Sequence, residues 1–151
     1  MRTTTTIEGL TLENLVDLFS TATYGSSWLD IFAPVRTGLH IEETDCREDV
    51  WAKALLAGHP IECTDYYAEG ETYGYLPSVV KDGDEATYTI TMQDVLDGLQ
   101  KCADGTFKGD KSEHDWLKDC FNDFRAGGFD LDLPEAEAIM QVIMFNELIY
   151  G

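Results

Sequence analysis

ATYTITMQDVLDGL, residues 86–99, decides the fold. Its first five residues alternate and are rich in β-branched side chains, which is the pattern of a half-buried strand. At Thr91 the period changes. Met92, Val95, Leu96, Leu99 and Cys102 then recur at helical spacing. A threonine followed by acidic residues in the first turn is a helix start. A strand therefore runs straight into a capped helix.

Working outward, the same phrase occurs earlier. LTLENLVDLF (10–19) aligns with ITMQDVLDGL (90–99) as similar residue types over the whole stretch, with the Thr and an Asp identical. It predicts a first helix after Thr11, with Leu12, Leu15, Val16, Phe19 and Ala22 inward and Gly25 as its stop. One way of entering a helix, used twice, explains the likeness better than an internal duplication.

Around these two units the remaining elements fall into place. Residues 3–7 make a short strand, and residues 26–46 read as irregular, broken by Pro34 and Gly38. A helix fits residues 47–57, with Val50, Trp51, Ala54 and Leu55 inward. PIECTDYY (60–67) makes a strand. YGYLPSVV (73–80) is a weaker one, because proline interrupts a central strand. KDGDE (81–85) is a turn. A helix over 112–126 carries Trp116, Leu117, Cys120, Phe121 and Phe124 on one side. A last helix begins near Pro134. Its body, AIMQVIMFNELIY (138–150), is apolar nearly all round and so belongs in the middle of the core. The expected architecture is α+β, one domain over residues 1–151, with about five helices packed on a small antiparallel sheet and the C-terminal helix central.

Charge bounds the partners. The chain of 151 residues carries 29 Asp plus Glu against 10 Lys plus Arg, a formal charge of -19. Hydrophobic residues at 44% and aromatics at 11% set it apart from a disordered acidic tail. Such a charge repels nucleic acid and anionic membranes, since phosphate binding depends on Lys and Arg. A basic protein surface is favoured instead. Solubility alone is the plainer explanation. No apolar run approaches the ~20 residues of a membrane span. MRTTTTIEGL has no apolar segment of a secretory signal, so the expected location is the cytoplasm. Cys46, Cys63, Cys102 and Cys120, with no CxxC pair, read as reduced and mostly buried thiols.

The densest acidic stretch is HIEETDCREDVW (40–51). It sets Glu42, Glu43, Asp45, Glu48 and Asp49 around a single Arg47. A second row, Asp115, Asp119 and Asp123, is spaced by four and lies on one helix face. Catalytic patterns are missing. His40, His59 and His114 stand apart, with no zinc spacing. DGDE (82–85) and DLDLPEAE (130–137) depart from the calcium-loop pattern and read as a turn and a helix entry. There is no GxSxG, no phosphate-cradling glycine loop and no recognisable cysteine motif. No metal and no cofactor is expected. Tyr66, Tyr67, Tyr73 and Tyr75 cluster in the β region. At least two of them are expected to pack on the sheet, the others suiting an interface. Trp28, Trp51 and Trp116 are expected in the core.

Three segments carry a resemblance. AIMQVIMFNELIYG (138–151) is similar to the ending of a family of small acidic proteins from phages and mobile elements of gut bacteria, whose last helix closes on a phrase like ALFGEIVYG. LVDLFSTATYGSSWLD (15–30) resembles that family's opening helix and turn, although Gly25, Ser26 and Ser27 stand where a glycine pair is usual. TYTITMQDVLDGL (87–99) resembles its strand-to-helix passage. Residues 25–85 match poorly. The shared residues are mostly core and cap positions, and the family has no assigned activity, so no catalytic residue carries over. The resemblance implies a mobile-element context, in which small acidic proteins often block host defence. The expectation is a non-enzymatic anti-CRISPR or antirestriction inhibitor, acting in the bacterial host by binding a nuclease or CRISPR effector. Its carboxylates would take the place of phosphates, with no direct contact to nucleic acid. The alternative is an acidic accessory module that binds a basic partner or itself. A homo-oligomer would have to hold -19 per subunit apart. A small enzyme has no support in the residues.

Overall fold

The computed structural model describes residues 11–33, 41–125 and 131–150. Nine elements follow in order: α1 (Leu12–Gly25), β1 (Leu29–Phe32), α2 (Arg47–Leu56), β2 (Ile61–Asp65), β3 (Val79–Asp82), β4 (Glu85–Ile90), α3 (Met92–Asp104), α4 (Lys111–Arg125) and α5 (Leu133–Phe145). The four strands form one antiparallel sheet in the order β1-β2-β4-β3. Among the described residues the fold is α+β, five helices with a four-stranded antiparallel sheet, as the periodicities predict.

Both Thr-led helix starts form as read. Thr11 Oγ1 accepts from Asn14 N at 3.1 Å while Thr11 N donates to Asn14 Oδ1 at 3.0 Å. Thr91 and Asp94 repeat the exchange at 3.1 and 2.9 Å. Each box satisfies two amides that a helix start otherwise leaves open. Strand β4 inserts Ala86, Tyr88 and Ile90 into the core and meets β2, which inserts Ile61, Cys63 and Asp65. The opposite sheet face holds threonines; the Thr64 and Thr87 hydroxyls lie 2.9 Å apart. Gly83 closes the β3–β4 hairpin with φ 62°, which glycine adopts without strain at the first position of such a turn.

Helix α5 packs against α1, α3 and α4. Every residue from Ala138 to Phe145 is buried. The approach to α3 is close. A Cβ placed on Gly98 would stand 2.8 Å from the Ile143 backbone and 2.5 Å from its side chain, so glycine is required there by contact. Leu18 occupies the matching position in α1. The two alike phrases thus part where α5 comes too close to α3 for a side chain.

Several expectations need correction. Residues 29–32, read as irregular, are strand β1; four residues are too few for periodicity to stand out. The strand in 73–80 starts only at Val79, beyond Pro77, and lies at the sheet edge, where a missing amide costs nothing. Helix α5 stops at Phe145, because Asn146 turns left-handed (φ 58°) and caps it. Trp116, expected in the core, is 40% exposed; of the four cysteines Cys63 and Cys102 are buried, Cys120 is half-buried and Cys46 is exposed. Leu12 is exposed, and Leu18 takes the core place beside Leu15, Phe19 and Ala22. The strand expected over 3–7 lies outside the described residues, as do His40 and the end of the helix expected over 112–126.

After α5 the chain folds back over the end of the sheet. Gln141 Oε1 accepts from Ile149 N at 2.6 Å and Tyr150 N at 2.7 Å, while its Nε2 donates to the Tyr150 carbonyl at 3.2 Å. The Tyr150 hydroxyl donates to both oxygens of Asp65, at 2.8 and 2.9 Å. Asp65 is fully buried and also accepts from Tyr67 N at 3.0 Å. Trp28, Tyr73, Tyr88 and Tyr150 gather around Phe145, with ring centroids 5.1 to 6.3 Å from it. A buried carboxyl survives in this apolar setting because two donors answer it, the Tyr150 hydroxyl shared between its oxygens and the Tyr67 amide.

Candidate interaction surface

The acidic stretch sits at the entrance to α2, and most of it has local work. Residues 42–45 form a turn in which Asp45 N donates to the Glu42 carbonyl at 3.1 Å. Asp45 accepts from Glu42 N at 2.9 Å and from Lys53 Nζ at 2.6 Å. That ion pair is shielded, with side-chain exposures of 24% for Lys53 and 11% for Asp45. Asp49 accepts from Cys46 N at 2.8 Å and closes the helix start. Glu48 accepts from the Tyr24 hydroxyl at 3.0 Å. Acidic side chains in a first turn also meet the positive end of the helix dipole. Glu42 and Glu43 are exposed. Of the five nominated carboxylates, three thus help to build the α2 entrance, which limits how freely they present themselves to a partner.

Arg47, the lone cation of the stretch, lies over two rings, 5.3 Å from the centroid of Tyr24 and 5.3 Å from that of Trp51. Its guanidinium reaches Asp30 at 3.9 Å. Asp30 also accepts from the Tyr66 hydroxyl at 3.2 Å. Around this knot Tyr24 is 61% exposed, Phe32 58% and Tyr66 39%. Exposed aromatics beside an arginine are the composition of protein interfaces. This surface was missed in the sequence. The alternation of Leu29 and Ile31 inward with Asp30 and Phe32 outward was the available signal.

The second acidic row is more open. Asp115, Asp119 and Asp123 are all exposed on α4. Lys111 Nζ donates to Asp115 at 2.6 Å, and this partner holds the Asp115 carboxyl below its usual range. The two rows lie on different elements, α2 with its entry turn and α4.

Two thiols are shut away in the core. Burial pushes the Cys63 and Cys102 thiols far above their ordinary range, which makes them poor nucleophiles. Cys120 is also raised, by burial and by the nearby Glu135 carboxylate. His114 Nε2 lies 2.6 Å from the Phe107 carbonyl, and its ring meets that of Phe107 edge-on, so it serves packing. Among the described residues no three His, Cys, Asp or Glu side chains converge as metal ligands. No described helix is long and apolar enough to cross a membrane. Of the four clustered tyrosines, Tyr73 and Tyr75 pack against the core, whereas Tyr66 and Tyr67 are exposed.

No protein-family model matches this chain, and comparisons with curated proteins and with solved structures returned no match.

Proposed function

We propose that the protein is a non-catalytic inhibitor encoded by a mobile element, which binds the basic surface where a host defence enzyme holds nucleic acid. The observation that carries this reading is the pairing of a -19 charge with a packed core. Its carboxylates stand on a fixed α+β body beside exposed Tyr24 and Phe32. A fixed array of carboxylates offers lysine and arginine what a phosphate chain offers them, and exposed rings add contact area at small entropic cost. The open row on α4 and Glu42 and Glu43 before α2 supply the charge.

The test is capture from a nuclease-treated bacterial lysate, washed at low and then high salt. The captured enzyme is then assayed for nucleic-acid binding with the protein added. A nuclease or CRISPR effector that is released by salt, and that loses nucleic acid as the protein is titrated in, supports the reading. Capture of no such enzyme, or of one that keeps its nucleic acid, defeats it.

A further inference from the structure

A second feature lies away from the α2 entrance. Helix α4, helix α5 and the returning tail enclose an open cleft of about 470 Å³, within the ~300–1,000 Å³ usual for ligand sites. Its walls are largely apolar, including Leu133, Leu148 and the ring of Tyr150. Trp116 stands in it 40% exposed, on the helix that buries Leu117, Phe121 and Phe124. Two carboxylates reach the same cleft. Glu113 accepts the Asp110 amide with Oε1 at 3.1 Å, and Glu137 accepts the Trp28 indole N–H with Oε2 at 2.9 Å. Each carboxylate has a second oxygen. Two of the neutral polar side chains are already engaged. Gln141 is taken up by the tail, and the Tyr150 hydroxyl is turned to Asp65.

What remains for a ligand is negative charge and apolar wall. A neutral polar molecule finds little to bond, and an anion is repelled. A cation with an apolar body satisfies both, with the Trp116 face as an added site for it. We infer that this cleft receives an arginine- or lysine-bearing apolar segment of a partner protein. The inference rests on the reading above that the partner is basic, and it gives that partner a specific foothold.

The experiment uses the full chain and a capped pentapeptide, Leu-Arg-Phe-Arg-Leu, followed by ¹H–¹⁵N NMR. The Trp116 indole signal and the amides of residues 133–150 should shift together. Trp116→Ala should weaken binding about tenfold, as loss of a central aromatic does. Glu113→Gln and Glu137→Gln should each weaken it about threefold, the effect of one partly exposed charge. Glu43→Gln, outside the cleft, should stay within about twofold, and the peptide with Glu for Arg should not bind. Shifts spread evenly over the acidic surface, or equal weakening by Glu43→Gln and Glu137→Gln, overturn the cleft and leave the inhibitor reading standing. A peptide that binds as expected, beside a lysate capture that yields no nucleic-acid enzyme, keeps the cleft and removes the inhibitor.

Discussion

Asp65 and the carboxylates of residues 42–49 are the same chemistry in two settings. Asp65 is fully buried and answered by the Tyr150 hydroxyl and the Tyr67 amide. Around the α2 entrance Glu42 and Glu43 are exposed, while Asp45, Glu48 and Asp49 are half-buried and answered by local donors. The comparison teaches that total charge is a poor guide to what any one acid does. A buried carboxylate holds distant parts of the chain together, because its partners have no alternative. An exposed one contributes little to stability and keeps its charge for outside use.

The comparison breaks most visibly at Asp65. Asp65→Ala leaves the Tyr150 hydroxyl and the Tyr67 amide without an acceptor and should destabilise by about 3 kcal/mol. Thermal unfolding should then shift down by about 6–12 °C for a chain of this size. A change under ~1 kcal/mol would show that the cluster is loose. The same residue carries a pH signature. Burial raises its carboxyl above the ordinary range. The unfolded chain therefore gives up this proton first as pH rises. Asp65 contributes stability that is full below its unfolded value, near pH ~4, and that is lost as pH climbs through the folded one. Relative to Asp65→Asn, the wild type should lose ground as pH rises from the unfolded value of Asp65 through its higher folded one. A constant difference would place Asp65 among the ordinary surface acids.

Smaller effects sharpen the contrast. Gln141→Leu removes the bonds that hold Ile149 and Tyr150 and should cost about 2 kcal/mol, with faster hydrogen exchange at those two amides. Asp49→Ala opens one helix start and should cost about 0.5–1 kcal/mol in denaturant unfolding. Glu43→Gln should change stability by less than ~0.5 kcal/mol. In the inhibitor reading it weakens capture of the basic enzyme. A Glu43 substitution that unfolds the protein would erase the distinction between the two settings.

The fold was legible where a local rule acts alone. Thr11 and Thr91 announce their helices by chemistry confined to three residues, and the all-round apolarity of residues 138–145 can mean only burial. It was less legible where partners are distant. Strand β1 is defined by its pairing with β2, Leu29 with Asp65, and four residues alone do not reveal that. The end of α5 hangs on Asn146 and on what Gln141 does with the tail. Trp116 fits the apolar stripe of α4 and is still 40% exposed, because it lines the cleft with α5 and the tail, which stripe position alone does not reveal. At the candidate site, the acids were legible as residues and their bonds were not. Asp45 and Asp49 look alike in sequence, yet one meets Lys53 and the other closes a helix start.

The Asp65–Tyr150 bond also spans time. The two residues are 85 positions apart. At a synthesis rate of ~5–20 residues per second, Asp65 waits about 4–17 s for its partner. Until then β1, β2 and β4 can pair, but the end of the sheet must keep its carboxyl in water, because the ring and hydroxyl that cover it do not yet exist. The ribosome thus delivers the sheet before the means to close it, and this corner of the fold is the later of the two to form.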